Sequence, residues 1–243
     1  MSGDETPIPS VWTRPHRQRE QLSREQIVSE AVALLDSEGL DALSMRRLGT
    51  RLGAGATSLY RHVASKDELI ELVVDEVYGE LEVPPADDAT SWRKAANHSA
   101  HSLRSMVLRH PWVASVLGQV GLVHLGPNVM RMSDRMLAVF GTAGFAAEEA
   151  DQAMNTVIAC VIGMTTSEAA YLSMIARSGK DEQEWMENLM PAAEQAAQDY
   201  PRLREGQSAQ RGKNPQQIRE DNFAYALERV LDGLEARLSR TGG

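Results

Sequence analysis

The sequence predicts an all-α protein: an N-terminal helix-turn-helix three-helix domain followed by a larger helical domain. Three observations predict it. Apolar residues recur at helical spacing in most segments of the chain. Those segments open on hydroxyl or acidic caps and close on glycine or proline. No stretch shows convincing strand alternation, an internal repeat or a long low-complexity tract.

Residues 1–20 hold three prolines and little periodicity, which predicts a flexible arm. Its end is basic through Arg14, His16, Arg17 and Arg19, so it either reaches a minor groove or is a solvated tail. Ser23 with Gln26 forms a capping box, and Ile27, Ala31, Leu34 and Leu35 follow on one face. Gly39 stops that helix, which is predicted over 24–38. Ser44 caps a second helix, with Leu43 and Leu48 placed as a hydrophobic staple. Gly49 permits close approach of another helix, and Gly53 ends the element. A third helix over 56–62 completes a helix-turn-helix. Ser65 and Glu68 make another capping box, opening a helix predicted to reach Leu81. Pro84 and Pro85 break the chain and mark a domain boundary.

Beyond the boundary the spacing predicts helices over 92–109, 112–120, 128–139, 148–176 and 181–200. Residues 201–217 are polar with two glycines and two prolines, which predicts a mobile loop. A last helix carries Phe223, Leu227, Val230, Leu231, Leu234 and Leu238 as a stripe. The domain limits are therefore an arm at 1–20, a helix-turn-helix domain with its linker helix at 21–83, and a helical domain at 85–240.

The charge pattern singles out one region. The chain of 243 residues has net charge −9, yet residues 42–66 hold five cations, Arg46, Arg47, Arg51, Arg61 and Lys66, and no Asp or Glu. A basic island on an acidic body suits contact with a phosphate backbone at one place and repulsion elsewhere. The alternative is an acidic enzyme with an incidental basic helix. The lone Cys160 excludes an intrachain disulfide and sits in an apolar run, Val157 to Ile162, too short to span a bilayer. The acidic, polar start does not resemble a signal peptide, so a cytoplasmic protein is the default.

In the third helix Leu59 and Val63 lie four apart and face inward, leaving Thr57, Ser58, Tyr60, Arg61 and His62 outside. Hydroxyls suit phosphate oxygens, and Arg61 suits a guanine edge or a phosphate. Lys66 stands at a helix start that itself favours anions. The segment Leu59-Tyr60-x-His62-Val63-x-x-Lys66, after the Leu52-Gly53 turn, resembles the DNA-binding domain of the tetracycline-repressor (TetR) family over Leu22 to Lys66. The resemblance extends through Trp92, Arg109-His110-Pro111-Trp112 and Gly126-Pro127-Asn128. It implies a DNA-binding transcriptional regulator in which Arg46, Thr57, Ser58, Tyr60, His62 and Lys66 contact operator DNA. It also implies a homodimer joined through the helix after Glu148 and the helix after Gln216, released from a near-palindromic double-stranded operator by a small-molecule effector. An activator, or a regulator without a small-molecule effector, is the alternative.

Two departures bear on specificity. Ala56 and Thr57 replace the Gln and Pro of the tetracycline repressor itself, so the operator should differ. Met45 stands where a phosphate-binding hydroxyl is expected. Residues 66–83 contain no histidine, and His124-Leu-Gly126 lies too far from Arg109-His110, so magnesium–tetracycline is not the expected effector.

Eight of the eleven methionines fall between residues 130 and 190, and methionine lines adaptable pockets. Trp112, Met132, Met136, Phe140, Met164, Glu168 and Tyr171 are the candidates for a mostly apolar effector cavity, or else ordinary core and interface residues. His98 and His101 have a metal-compatible spacing but no third ligand at a recognisable spacing, and no serine resembles a nucleophile elbow. No metal, cofactor or catalytic residue is expected.

Overall fold

A computed structural model describes residues 22–120 and 126–241, apart from the side chains of 117–120 and 240–241; the N-terminal arm and His124 lie outside the described residues. The fold is all-helical, with eleven α-helices and no strand among the described residues.

α1 (Arg24–Glu38) is held at its start by both halves of the capping box. The Gln26 amide donates to Ser23 Oγ at 3.2 Å, and the Ser23 amide donates to Gln26 Oε1 at 3.0 Å. Its buried stripe is Ile27, Val28, Ala31, Leu34 and Leu35. α2 (Met45–Arg51) begins on Ser44, whose hydroxyl accepts from the Arg47 amide. Leu43 and Leu48 are both buried, as the staple requires. Gly49 lies against both the turn and the start of the third helix: a Cβ there would stand 2.8 Å from the Ala54 carbonyl oxygen and 3.3 Å from the Ala56 amide nitrogen. Gly53 supplies the left-handed residue of that turn, at φ 61°.

α3 (Ala56–Leu59) is a single α-helical turn, shorter than the predicted 56–62. The His62 amide donates to the Leu59 carbonyl at 2.9 Å, a tightening that turns Val63 into the core before Ser65 caps the next helix. α4 (Lys66–Tyr78) likewise stops three residues before Leu81. Glu80 and Leu81 close i→i+3 turns, and the chain then runs without helix past Pro84 and Pro85.

α5 (Trp92–Arg109), α6 (Trp112–Val120), α7 (Pro127–Ala143), α8 (Ala147–Ser178) and α11 (Pro215–Thr241) build the larger part. α8 is its axis and packs on α5, α7 and α11. Trp92, Phe140 and Phe145 form an aromatic knot at ring separations of 5.9–6.1 Å. α9 (Glu182–Ala196) and α10 (Pro201–Gln210) lie outside that core, with no buried residue in either.

α10 corrects one expectation: residues 201–210 are helical, not a loop. Pro201 stands in the first turn, where its missing N–H costs nothing, and the Arg204 amide donates to the Tyr200 carbonyl. Nearly every side chain of α10 is exposed, so the helix leaves no apolar period in the sequence. α8 also differs in scale. It is 32 residues long and, by length and apolarity alone, could cross a membrane, although the apolar run first noted at 157–162 could not.

Candidate nucleic-acid interface

The helix-turn-helix presents one polar face. Leu59 and Val63 are buried at 0% and 1% exposure, which fixes the roll of the segment. Tyr60 is then 52% exposed, Thr57 and Arg61 are exposed, and Ser58 and His62 are half-buried. Arg46 projects from the exposed side of α2, and Lys66 opens α4. The capping of α4 differs slightly from a simple box: Ser65 Oγ accepts from the Glu68 amide at 3.0 Å, while the Glu68 carboxylate accepts from the Ala64 amide at 2.6 Å.

The five cations of the basic island divide into two groups. Arg47 pairs with Glu38, and Arg51 pairs with Glu30 and, at 3.6 Å, with Glu38. Those carboxylates come from α1, so Arg47 and Arg51 tie the small domain together. Among the described residues, Arg46, Arg61 and Lys66 carry no ion pair. These three supply the uncompensated positive charge of the face. Met45 is only 7% exposed, so it serves the core and cannot reach a phosphate.

Two joints connect the small domain to the rest. At the first, His110 is buried at the corner between α5 and α6. Its Nδ1 lies 2.7 Å from Asp36 Oδ1 on α1, and its Nε2 lies 3.1 Å from Glu80 Oε1 just after α4. Trp112 Nε1 donates to the same Asp36 oxygen at 2.8 Å. At the second, Asp75 of α4 caps α7. Its Oδ1 accepts from the Asn128 and Val129 amides at 2.9 and 3.0 Å, and Asn128 Nδ2 donates to the Asp75 carbonyl at 3.0 Å. Gly126 lies so close that a Cβ there would stand 2.2 Å from Asp75 Cγ. Reasoning from sequence missed Asp36, Asp75 and Glu80. The one signal for the joints is that Arg109-His110-Pro111-Trp112 and Gly126-Pro127-Asn128 stand out as segments.

The seven candidate effector residues fall in several places. Met132 and Met136 meet Leu81, Leu103 and Val157 around a void of about 20 Å³. Phe140 belongs to the aromatic knot and is fully buried. Trp112 faces α1 through Asp36. Met164 packs half-buried against the core. Glu168 accepts a bidentate pair from Arg104 at 2.8 and 2.6 Å and a third bond from Arg219 Nε at 3.0 Å. Arg219 also pairs with Glu182, and the Arg104 guanidinium lies 4.8 Å over the Phe223 ring. Tyr171 stacks edge-on against Trp185 at 5.5 Å, and burial, with Glu182 beside it, raises its hydroxyl pKa. Burial lowers the His101 pKa, helped by Arg104 and His98. Among the described residues no three His, Cys, Asp or Glu side chains gather as a metal site. An open cleft of about 610 Å³ between α9, α10 and α11 takes Met186 and Met190.

A profile described as bacterial regulatory proteins of the tetR family matches residues 27–73, and one described as a tetracyclin repressor-like C-terminal domain matches residues 84–238. The chain belongs to the TetR family. It is a DNA-binding transcriptional regulator and not an enzyme. A relative, an HTH-type transcriptional regulator of Saccharopolyspora erythraea, is 38% identical over 67% of this chain and 69% of its own length. The HTH-type transcriptional repressor DrrR1 of Streptomyces coeruleorubidus is 30% identical over 91% of this chain and 80% of its own. Among solved TetR structures, ActR of Streptomyces coelicolor in complex with actinorhodin superposes with a TM-score of 0.71 at 30% identity, covering 89% of this chain and 98% of that one.

Proposed function

We propose that this TetR-family regulator is a homodimeric cytoplasmic repressor that leaves a near-palindromic operator when a mostly apolar small molecule binds. The observation that carries the DNA-facing half is the trio Arg46, Arg61 and Lys66, unpaired among the described residues beside exposed Tyr60 and half-buried His62. Arg61 suits a guanine edge or a phosphate, Thr57 and Ser58 suit phosphate oxygens, and two copies gain by occupying two half-sites together. Residues 21–83 form the DNA-binding domain on this reading, and 85–240 the effector and dimer domain.

Support for the dimer comes from α8. The most apolar window of this helix has mean hydropathy 1.4, yet only 22% of it is buried within one chain. Ala159, Gly163, Thr166, Ala170 and Met174 are exposed along it, and small residues there let a second helix approach closely. A second copy laid on this face and on the exposed side of α11 removes that apolar surface from water.

Support for effector release comes from the void beside Met132 and Met136 and from the ligand-bound relative. Ligand pockets usually enclose ~300–1,000 Å³, so an effector must displace the flexible methionines and move α7. α7 starts on Asp75 of α4, and α4 starts at Lys66 on the DNA face, which makes α4 the lever. The small size of the void also favours a second reading, a TetR regulator with no small-molecule effector. Footprinting on DNA upstream of the gene, repeated with candidate effectors and read beside thermal shifts, separates the two. The proposal requires a protected near-palindrome, lost on adding a compound that also raises the melting temperature. Protection that no stabilising compound disturbs would leave the second reading.

A further inference from the structure

The joint at His110 carries a consequence of its own. The ring is nearly buried, its side chain 5% exposed, between carboxylates from two different elements: Asp36 of α1 and Glu80 after α4. A carboxylate only accepts hydrogen bonds, and a neutral imidazole has a single N–H. Both contacts, at 2.7 and 3.1 Å, form together only when both ring nitrogens carry protons. In a neutral ring one nitrogen lone pair would face a carboxylate oxygen at hydrogen-bond distance inside a desolvated joint.

We propose that His110 is a proton-linked clasp between the two domains. As imidazolium it binds α1 and the exit of α4 at once. On losing a proton to solvent it keeps one bond and gives up the other. The bond given up is the one to Glu80. It is the longer, and Glu80 has a second partner in Arg109, to which it can turn. Asp36 is held in place by Trp112 Nε1, so the Nδ1 proton stays. Among the described residues, the charged groups around the ring are therefore Asp36 from α1 and Glu80 from the α4 exit, with Arg109 from the end of α5 on Glu80 and the Trp112 ring 6.1 Å away on α6. Deprotonation thus frees the end of the lever helix while α1 stays docked, and DNA affinity becomes linked to pH through a residue remote from the DNA face.

The test uses the full-length protein and a duplex selected by it from a random pool, titrated from about pH 5.5 to 8.5, the range in which histidine changes charge. The variants compared are His110→Gln and Glu80→Gln, both of which leave His62 on the helix-turn-helix in place. The expected result is that the wild-type affinity curve departs from both variants, by at most about tenfold per pH unit, the limit for one linked proton. Ring nitrogen NMR on the wild-type protein without DNA should show His110 with both nitrogens protonated at the acid end and only Nδ1 at the alkaline end. Amide exchange at Glu80, bonded to the Val77 carbonyl, should speed up in step. A His110 ring that stays singly protonated throughout would overturn the proposal, even if His110→Gln failed to fold. So would a wild-type affinity curve that coincides with that of Glu80→Gln.

Discussion

The DNA-facing domain and the larger domain use their polar side chains in opposite ways. On the helix-turn-helix the cations Arg46, Arg61 and Lys66 are exposed to solvent and, among the described residues, have no ion pair. In the larger domain the polar groups with the most structural work are inside. Glu168 takes Arg104 and Arg219 from two other helices, and its side chain is 10% exposed. His110 and Asn128 of this domain bond across the boundary, to Asp36 of α1 and Asp75 of α4. The first arrangement keeps charge available for a partner. The second spends it on fixing helices relative to one another, so removing a single partner there strands a desolvated charge.

The largest effect that follows is at Glu168. Replacing it with Ala strands Arg104 in a nearly buried site while Arg219 keeps Glu182, and the loss in unfolding free energy should be ~3–5 kcal/mol, read by chemical denaturation. A loss below ~1 kcal/mol, the range of a surface pair, would erase the distinction between the two domains. Next is Tyr78 at the end of α4. Burial pushes its hydroxyl up to about 12, against 10.0 for a free tyrosine. Because the folded value is the higher one, the stability involved is fully present below about pH 10 and is lost as pH rises toward about 12. The loss should amount to ~2–3 kcal/mol and be absent in Tyr78→Phe.

Smaller effects belong to the DNA face. Arg61→Ala should cost ~1–3 kcal/mol in operator affinity with an unchanged melting temperature. A loss confined to certain base pairs would mark a guanine reader, and a uniform loss would mark a phosphate contact. Tyr60→Ala should also weaken binding without unfolding the protein, since half its surface is exposed. The finest comparison sets Arg46 against Arg47, neighbours in sequence. Arg46→Ala should reduce the salt slope of binding by about 1. Arg47→Ala, whose partner is Glu38, should leave that slope in place. Equal slopes for the two variants would mean that pairing with α1 does not decide which cations meet DNA.

The same contrast explains what the sequence revealed. The small domain is specified by local rules: a cap and its third residue, a staple, a left-handed glycine, an apolar spacing of four. α1 and the inward pair Leu59 and Val63 were therefore legible residue by residue. The joints are not local. Asp36 and His110 lie 74 positions apart, Asp75 and Asn128 lie 53 apart, and Arg104 and Glu168 lie 64 apart. No spacing rule pairs such residues. The basic island was overcounted for the same reason, because Glu30 and Glu38, which neutralise Arg47 and Arg51, sit on the preceding helix. α10 escaped because it buries no face, and the candidate pocket residues dispersed because methionine and aromatic spacing describes a core as readily as a cavity.

The central claim is that the uncompensated cations of the helix-turn-helix, and not its total charge, hold the operator. The most direct test is the affinity of the Arg46→Ala, Arg61→Ala, Lys66→Ala triple variant for a duplex selected by the wild-type protein, measured beside its melting temperature. Binding should be lost near physiological salt while the melting temperature stays at the wild-type value. Retained affinity, or a melting temperature that falls together with it, would contradict the claim.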